Sequence, residues 1–351
     1  MKVNTDLLSQ LYKIHHPSGQ EYEMMGFIIN WVHHNIKNVN FKIDHYSNLF
    51  ITKNTNNPDF YPCMIAHMDE MISNKGLKNL FIKSGMIRGK KCALGADDCN
   101  GIYIILEMLK NHDDLKVIFT VEEEMGTKGA MEAIYNDEFL SNISYFIQPD
   151  RRGKSDLITE TNGIRCCSQE FLDDLTPIAT NFKYSPEMGT FTDVGIFCEF
   201  KNIAGINVSC GYYNEHTINE YTVISELQNS MNFINNILSN LQNKQYILSD
   251  SEMQSYYSPT TYHYDRAQWE DIYSDIPSDN ISSEWHCQLS ECSACFEKRC
   301  DECAVYWDWY DDKYCKIKPA NKQIHTYEDK YSKCNTCNAF DCMRCEYYKS
   351  Y

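Results

Sequence analysis

Several short apolar runs that read as buried strands deliver the chain to a histidine or a carboxylate, and this ordered pattern most narrows what the sequence can fold into. Pro62-Cys-Met-Ile-Ala-His67-Met-Asp69 ends on an imidazole and an acid. Leu115-Lys-Val-Ile-Phe-Thr-Val leads into Glu122-Glu-Glu124-Met-Gly126, and Tyr145-Phe-Ile-Gln-Pro leads into Asp150. Ile203-Ala-Gly-Ile-Asn-Val-Ser209 lies shortly before His216. Short continuous apolar runs are the signature of strands buried on both faces of a sheet. In open α/β sheets ligands collect at the carboxyl ends of such strands.

The segments between fit that sheet. Thr5 to His15 and Glu21 to Asn35 carry helical apolar spacing, and Ser18 with Glu21 has the spacing of a capping box. Phe41 to Asp44 and Leu49 to Thr52 flank a polar turn and predict a hairpin, as do Leu80 to Lys83 and Met86 to Gly89. The second hairpin leads to Ala96-Asp97-Asp98-Cys99-Asn100-Gly101, and Ile102 to Leu109 predicts a helix. Asp97 and Asp98 then stand at a helix N-terminus, where carboxylates are favoured. A last helix is expected over Glu220 to Leu241.

A formal charge of −17 argues against a general nucleic-acid or membrane-surface binder, since phosphate contacts need clustered Lys and Arg. No apolar run approaches the roughly 20 residues of a membrane span, and the first residues lack the apolar core of a signal peptide. The expectation is a cytoplasmic protein. Of seventeen cysteines, ten follow residue 286 and eight of these form Cys-x-x-Cys pairs, which in a reducing compartment means metal. The other seven lie among apolar neighbours as small buried hydrophobes.

The chemistry of the first part can be assembled from residue types. Two divalent ions about 3.5–4 Å apart need a carboxylate between them and further His or acidic ligands on each side. Asp97 is the expected bridge, with His67 and Asp150 completing one site and Glu124 and His216 the other. Glu123 is left free as a general base, with Glu122 as the runner-up. Asp69 is placed to fix the tautomer of His67.

His67-Met-Asp69, Gly95-Ala-Asp97-Asp98, Glu123-Glu124-Met-Gly126, Gln148-Pro-Asp150 and Asn214-Glu-His216 together resemble the co-catalytic zinc exopeptidases, the group of tripeptidase T, the acylase-type deacylases and the zinc aminopeptidases. Pro17-Ser-Gly-Gln-Glu21, Asp44-His-Tyr-Ser-Asn-Leu49 and Gly189-Thr-Phe-Thr-Asp193 add to it, and the likeness spans roughly residues 5–242. It implies a three-layer α/β/α fold of phosphorylase/hydrolase type with a mixed, mostly parallel sheet. It further implies a metal-dependent exopeptidase with two catalytic zinc ions, or cobalt or manganese, acting on peptides at a free amino terminus. Three departures stand out. Only 151–215 lies between Asp150 and His216, too little for the separate lid domain of tripeptidase T-like enzymes. Substrate contacts of such a lid must then come from elsewhere, with Asn162 and Asp193 as candidates. Cys99-Asn100 replaces the Lys or Arg that commonly follows the paired aspartates, and the tail has no counterpart in the family.

The expected organisation is a catalytic domain over 1–246, an aromatic and acidic linker or docking strap over 247–286, and a cysteine-rich module over 287–351. In the module Cys292-x-x-Cys295-x4-Cys300-x-x-Cys303 is repeated as Cys334-x-x-Cys337-x4-Cys342-x-x-Cys345. Two structural zinc ions are expected there, a four-cysteine iron–sulfur cluster or disulfides being the alternatives, and the module is a candidate docking site for a protein partner. Two other functions remain open at this stage. One is a deacylase or carboxypeptidase-type amidohydrolase; the other is a catalytically weak peptidase-like protein that binds through its zinc tail.

Overall fold

A computed structural model describes residues 1–71, 78–241 and 244–248. The chain divides into two units, Met1–Ser255 and Tyr256–Tyr351. The described residues all belong to the first. The expectations for the linker beyond Leu248 and for Cys292, Cys295, Cys300, Cys303, Cys334, Cys337, Cys342 and Cys345 lie outside them.

The chain opens with helices α1 (Thr5–Leu11) and α2 (Tyr22–Asn35), then strands β1 (Val39–Ile43), β2 (Leu49–Lys53), β3 (Tyr61–His67), β4 (Leu80–Lys83) and β5 (Met86–Gly89). Next come α3 (Ala96–Asn111), β6 (Leu115–Thr120), α4 (Lys128–Ala133), α5 (Asp137–Leu140) and β7 (Ile143–Arg151). They are followed by β8 (Asp156–Thr161), β9 (Ile164–Arg165), α6 (Gln169–Phe182), β10 (Ser185–Gly189) and α7 (Asp193–Lys201). The last elements are β11 (Gly205–Ser209), β12 (Tyr212–Tyr213), β13 (Tyr221–Val223) and α8 (Ile224–Asn240). Among the described residues no helix is long and apolar enough to cross a membrane.

The large sheet runs β1-β2-β6-β3-β7-β11-β8-β10, with β9 paired to β8. Its centre, β6-β3-β7-β11, is parallel throughout, and antiparallel β2 and β8 flank it. The fully buried β3 and β6 explain why these segments are continuous apolar runs instead of alternating ones. Consecutive side chains of a strand point to opposite faces. Tyr145 of β7 stacks on Phe171 of α6 at 5.1 Å, while its neighbour Phe146 meets Phe197 of α7 at 5.4 Å. Helices therefore cover both faces, with α6 against one and α7 against the other. This is the α/β fold expected, with a mixed sheet that is parallel through its centre. A second, antiparallel sheet, β12-β13-β5-β4, stands beside it and contains the expected β4–β5 hairpin.

Two helix boundaries differ from expectation. The first helix stops at Leu11, and i to i−3 turns at Lys13 and Ile14 carry the chain toward Pro17, whose ring disfavours helix in the residue before it. The last begins only at Ile224. Tyr221 and Thr222 are taken into the second sheet by Arg88 and Ile87 of β5, a pairing invisible to local sequence periodicity.

Candidate metal centre

The strand ends expected to carry chemistry converge. β3 lies between β6 and β7 and is parallel to both, pairing His67 with Thr120, so the three carboxyl ends open on one space. His67 is 1% exposed. Its Nδ1 lies 3.0 Å from the main-chain oxygen of Asp69, which places the proton on Nδ1. Nε2 is left facing two acids, Asp97 Oδ1 at 2.9 Å and Asp150 Oδ1 at 3.7 Å. Burial works to lower the pKa of this imidazole, but Asp150, Asp69 and Asp97 hold it well above its ordinary value.

Asp97 reaches its position through a turn that the sequence does not announce. Gly95 precedes α3 with φ 73°, and Asp97 and Asp98, joined by a cis peptide bond, depart from helical geometry inside the first turn. The free N–H groups of Gly95, Ala96 and Asp97 are met by the buried carboxylate of Glu220, at 2.6, 2.8 and 3.1 Å. Glu220 thus fills the role at the helix start that the paired aspartates were expected to fill. Asp97 is released to span both histidines, His67 through Oδ1 and His216 through Oδ2 at 3.3 Å. Asp98 turns inward, where Oδ1 accepts the N–H of Gly101 at 2.9 Å. A Cβ at Gly101 would sit 2.4 Å from both Asp98 oxygens, so any larger residue would displace that carboxylate.

The three consecutive glutamates separate. Glu122 adopts φ 51°, a left-handed conformation uncommon outside glycine, and its carboxylate turns to Tyr46 at 2.9 Å and Lys128 at 3.5 Å. Glu124 Oε1 lies 2.5 Å from His216 Nε2. The carboxylate of Asp69 accepts the backbone N–H groups of Glu123 and Glu124 at 3.0 and 3.2 Å, and the hydroxyl of Ser18 at 2.7 Å. Its nearest approach to His67 Nδ1 is 3.3 Å, longer than the bond from the main-chain oxygen. Asp69 thus faces the imidazole with both its carbonyl and its carboxylate, and the carboxylate also organises the Glu123–Glu124 turn. The expected capping box is not formed. Glu21 caps no helix N–H; its carboxylate accepts the N–H of Gly19 at 2.8 Å and of Glu122 at 3.1 Å.

Asp150, near the end of β7, is held from both sides. Oδ2 accepts Gln148 Nε2 at 2.9 Å and the Thr192 hydroxyl at 3.4 Å, and Oδ1 accepts the Tyr212 hydroxyl at 3.3 Å. Its backbone is clamped by the Asn207 amide, which accepts the Asp150 N–H and donates to its carbonyl. His216, by contrast, stands in the β12–β13 loop with φ 57° and a side chain 36% exposed.

Three groups of ligand-type atoms result, each within 4.8 Å of one another: His67 with Asp97 and Asp150, Asp97 with Glu124 and His216, and His67 with Glu123 and Glu124. The first two share Asp97. The pocket is over-supplied with buried acid. Burial, then the charge of Asp97, pushes Asp150 up to about 8, and burial also raises Glu123, Glu124 and Asp98. Asp97 goes down instead, because the hydrogen bonds of His216 and His67 outweigh its burial. His216 is raised to about 10 by its bonds to Asp97 and Glu124.

The two residues expected to touch substrate are not brought to the centre in an accessible form. Asp193 begins α7 fully buried, its Oδ2 accepting the Thr120 hydroxyl. Asn162 lies in the exposed β8–β9 turn, its N–H donating to Gly189. Sequence reading gave no role to Gln148, Thr192, Asn207, Tyr212 or Glu220. Gln148 had a signal, since it stands two residues before Asp150 and shares its strand face. Tyr212 had little, being one of twenty-five tyrosines.

No family model and no curated protein matches the chain. Its fold has solved counterparts. Aminopeptidase PepT from Bacillus cereus superposes with a TM-score of 0.58 at 14% identity, over 68% of this chain and 97% of that one. A tripeptidase from Staphylococcus aureus gives 0.58 at 16% identity, over 67% and 96%. The TET1 peptidase of Pyrococcus horikoshii gives 0.54 at 15% identity, over 68% and 99%. At such identities the likeness is one of fold, and function must be argued from the site.

Proposed function

We propose that this chain is a metal-dependent exopeptidase that hydrolyses the peptide bond at a free amino terminus. The observation that carries the reading is the pair of donor groups joined through Asp97. Imidazole nitrogens and carboxylate oxygens are the donor set of zinc, cobalt and manganese. The fit is also electrostatic: Asp150, Glu123, Glu124 and Asp98 are buried acids with raised pKa values, and a dication in their midst supplies the missing charge. His67, Asp97 and Asp150 would hold one ion and Asp97, Glu124 and His216 a second. Such ions supply Lewis acidity, making water a nucleophile near neutral pH and polarising a carbonyl.

The chain's own residues do the rest. Glu123, carried by the turn that Asp69 organises, takes the proton of the attacking water and returns it to the leaving amine. Glu122 is occupied by Tyr46 and Lys128, which favours Glu123 as the base. Asp193, buried at the start of α7, accepts the hydroxyl of Thr120, which ends the strand beside His67. In the C-terminal module the reading extends to two structural zinc ions on the eight paired cysteines and to a protein partner docked there. The whole is read as a cytoplasmic enzyme.

The test is hydrolysis of free and N-acetylated di- and tripeptides by the zinc-loaded chain, beside Glu123→Gln and Glu122→Gln. Cleavage of free amino termini that falls roughly 10²–10⁴-fold in Glu123→Gln and stays near normal in Glu122→Gln supports the proposal. Cleavage restricted to blocked termini makes the chain a deacylase. A metal-loaded protein that cuts neither set overturns the enzymatic reading.

A further inference from the structure

Asp150 and Glu124 occupy equivalent places in the two donor groups, yet they are held very differently. Among the described residues the carboxylate of Glu124 has one hydrogen-bond partner, His216. Asp150 is gripped at both oxygens, and the oxygen that faces His67 Nε2 is the one met by the phenol of Tyr212. Tyr212 is 3% exposed, and its own position is over-determined. Its carbonyl accepts the N–H of Gly153 at 2.9 Å, and its strand pairs with Thr222 of β13. Once Asp150 is ionised, as a metal ligand must be, the phenol can only donate to it, so the bond fixes the direction of Oδ1 and of its remaining lone pair.

We propose that Tyr212 is a positioning residue that pre-sets Asp150 and thereby makes His67–Asp97–Asp150 the tighter of the two metal-binding groups, the first to fill. The inference rests on the metal reading of the site. Its physical basis is the reduction of reorganisation on binding: a ligand already pointed by an outer hydrogen bond gives up less freedom, and loss of such a partner typically costs 10–100-fold in metal affinity. The neighbouring Tyr213 provides an internal control. Its hydroxyl lies 2.6 Å from Glu226 and its ring stacks on Tyr221, so it shares the strand with Tyr212 but not the contact to Asp150.

The experiment titrates the metal-free full chain with cobalt(II), following visible absorption and calorimetric heat, for the wild type, Tyr212→Phe and Tyr213→Phe. Two phases are expected in the wild type, beside any uptake by the cysteine module, which its sulfur-to-metal charge-transfer bands identify. In Tyr212→Phe the tighter phase should weaken by roughly 10–100-fold with an altered visible spectrum, while the weaker phase stays within about 3-fold. Tyr213→Phe should titrate as the wild type. An unchanged tight phase in Tyr212→Phe overturns the inference and leaves the metal reading intact, as does equal weakening in Tyr213→Phe. Absence of any oxygen- and nitrogen-ligated cobalt in the wild type overturns both.

Discussion

The two halves of the centre differ in how they are built. His67, Asp97 and Asp150 project from β3, the start of α3 and β7, with side-chain exposures of 1, 11 and 8%. Each is backed by a partner that is itself buried: the Asp69 carbonyl, Glu220 and the Gln148–Thr192–Tyr212 set. Glu124 and His216 instead come from a turn and a loop, and His216 is more than a third exposed and held in left-handed geometry. The contrast separates a half that secondary structure makes rigid in advance from a half that depends on loop conformation. Rigid elements position functional groups more precisely than loops do.

The comparison can be broken most sharply at Asp97, which belongs to both halves. Asp97→Ala should abolish binding of both ions at the centre and reduce hydrolysis to background, measured as metal content after desalting together with turnover. Next in size is the paired lesion His67→Ala against His216→Ala. If the inner half is the rigid one, His216→Ala should retain about one ion at the centre whereas His67→Ala should retain none, a difference readable by elemental analysis; equal loss would remove the distinction.

Glu220→Ala probes the support of Asp97 without touching a donor atom. Three backbone N–H groups lose their acceptor, and leaving buried donors unsatisfied costs about 1–3 kcal/mol each at most. The metal-free variant should therefore melt several degrees lower, and its affinity for the first ion should fall. An unchanged melting temperature would show that the turn is held by other means.

The smallest expected effect is that of pH on the metal-free protein. Asp150 is raised to about 8, largely by burial, so the folded state binds its proton more tightly than the unfolded chain does. Stability from this group is full below the ordinary carboxylate range and falls as pH rises through 8. His216, raised to about 10 by Asp97 and Glu124, acts in the same direction, its stabilisation fading as pH rises from about 6.5 to 10. The metal-free melting temperature should thus decline from pH 5 to pH 9. Loading must displace these protons, so apparent metal affinity should rise over the same interval, with proton release measurable calorimetrically in buffers of different ionisation heat. A melting temperature that climbs toward pH 9 would contradict the placement of these groups.

How much of this was legible follows from where each signal is stored. Strand runs such as Pro62 to His67 and Leu115 to Val121 announce themselves because burial on both faces of a sheet demands unbroken apolar residues. The same runs point to His67, Glu122–Glu124 and Asp150, since a chain leaving a buried strand meets the ligand-binding edge of the sheet. What stays silent is any role defined by a partner distant in sequence. Glu21 and Ser18 carried the spacing of a helix cap, yet the fold turns them to Glu122 and Asp69. Glu220 was assigned to a helix, yet it closes the start of α3.

The sequence by itself determined the α/β class, the central strands and the set of residues that gather at one edge of the sheet, because hydrophobic periodicity and strand-end placement are local properties. Only the tertiary structure decided that Glu122 turns away to Tyr46 and Lys128, that Asp193 is buried against Thr120, and that Tyr212, Gln148 and Glu220 hold the acids of the centre in place. Those choices depend on hydrogen bonds that close in three dimensions, where the cost of leaving a buried donor or carboxylate unpaired selects one arrangement among many the chain could trace.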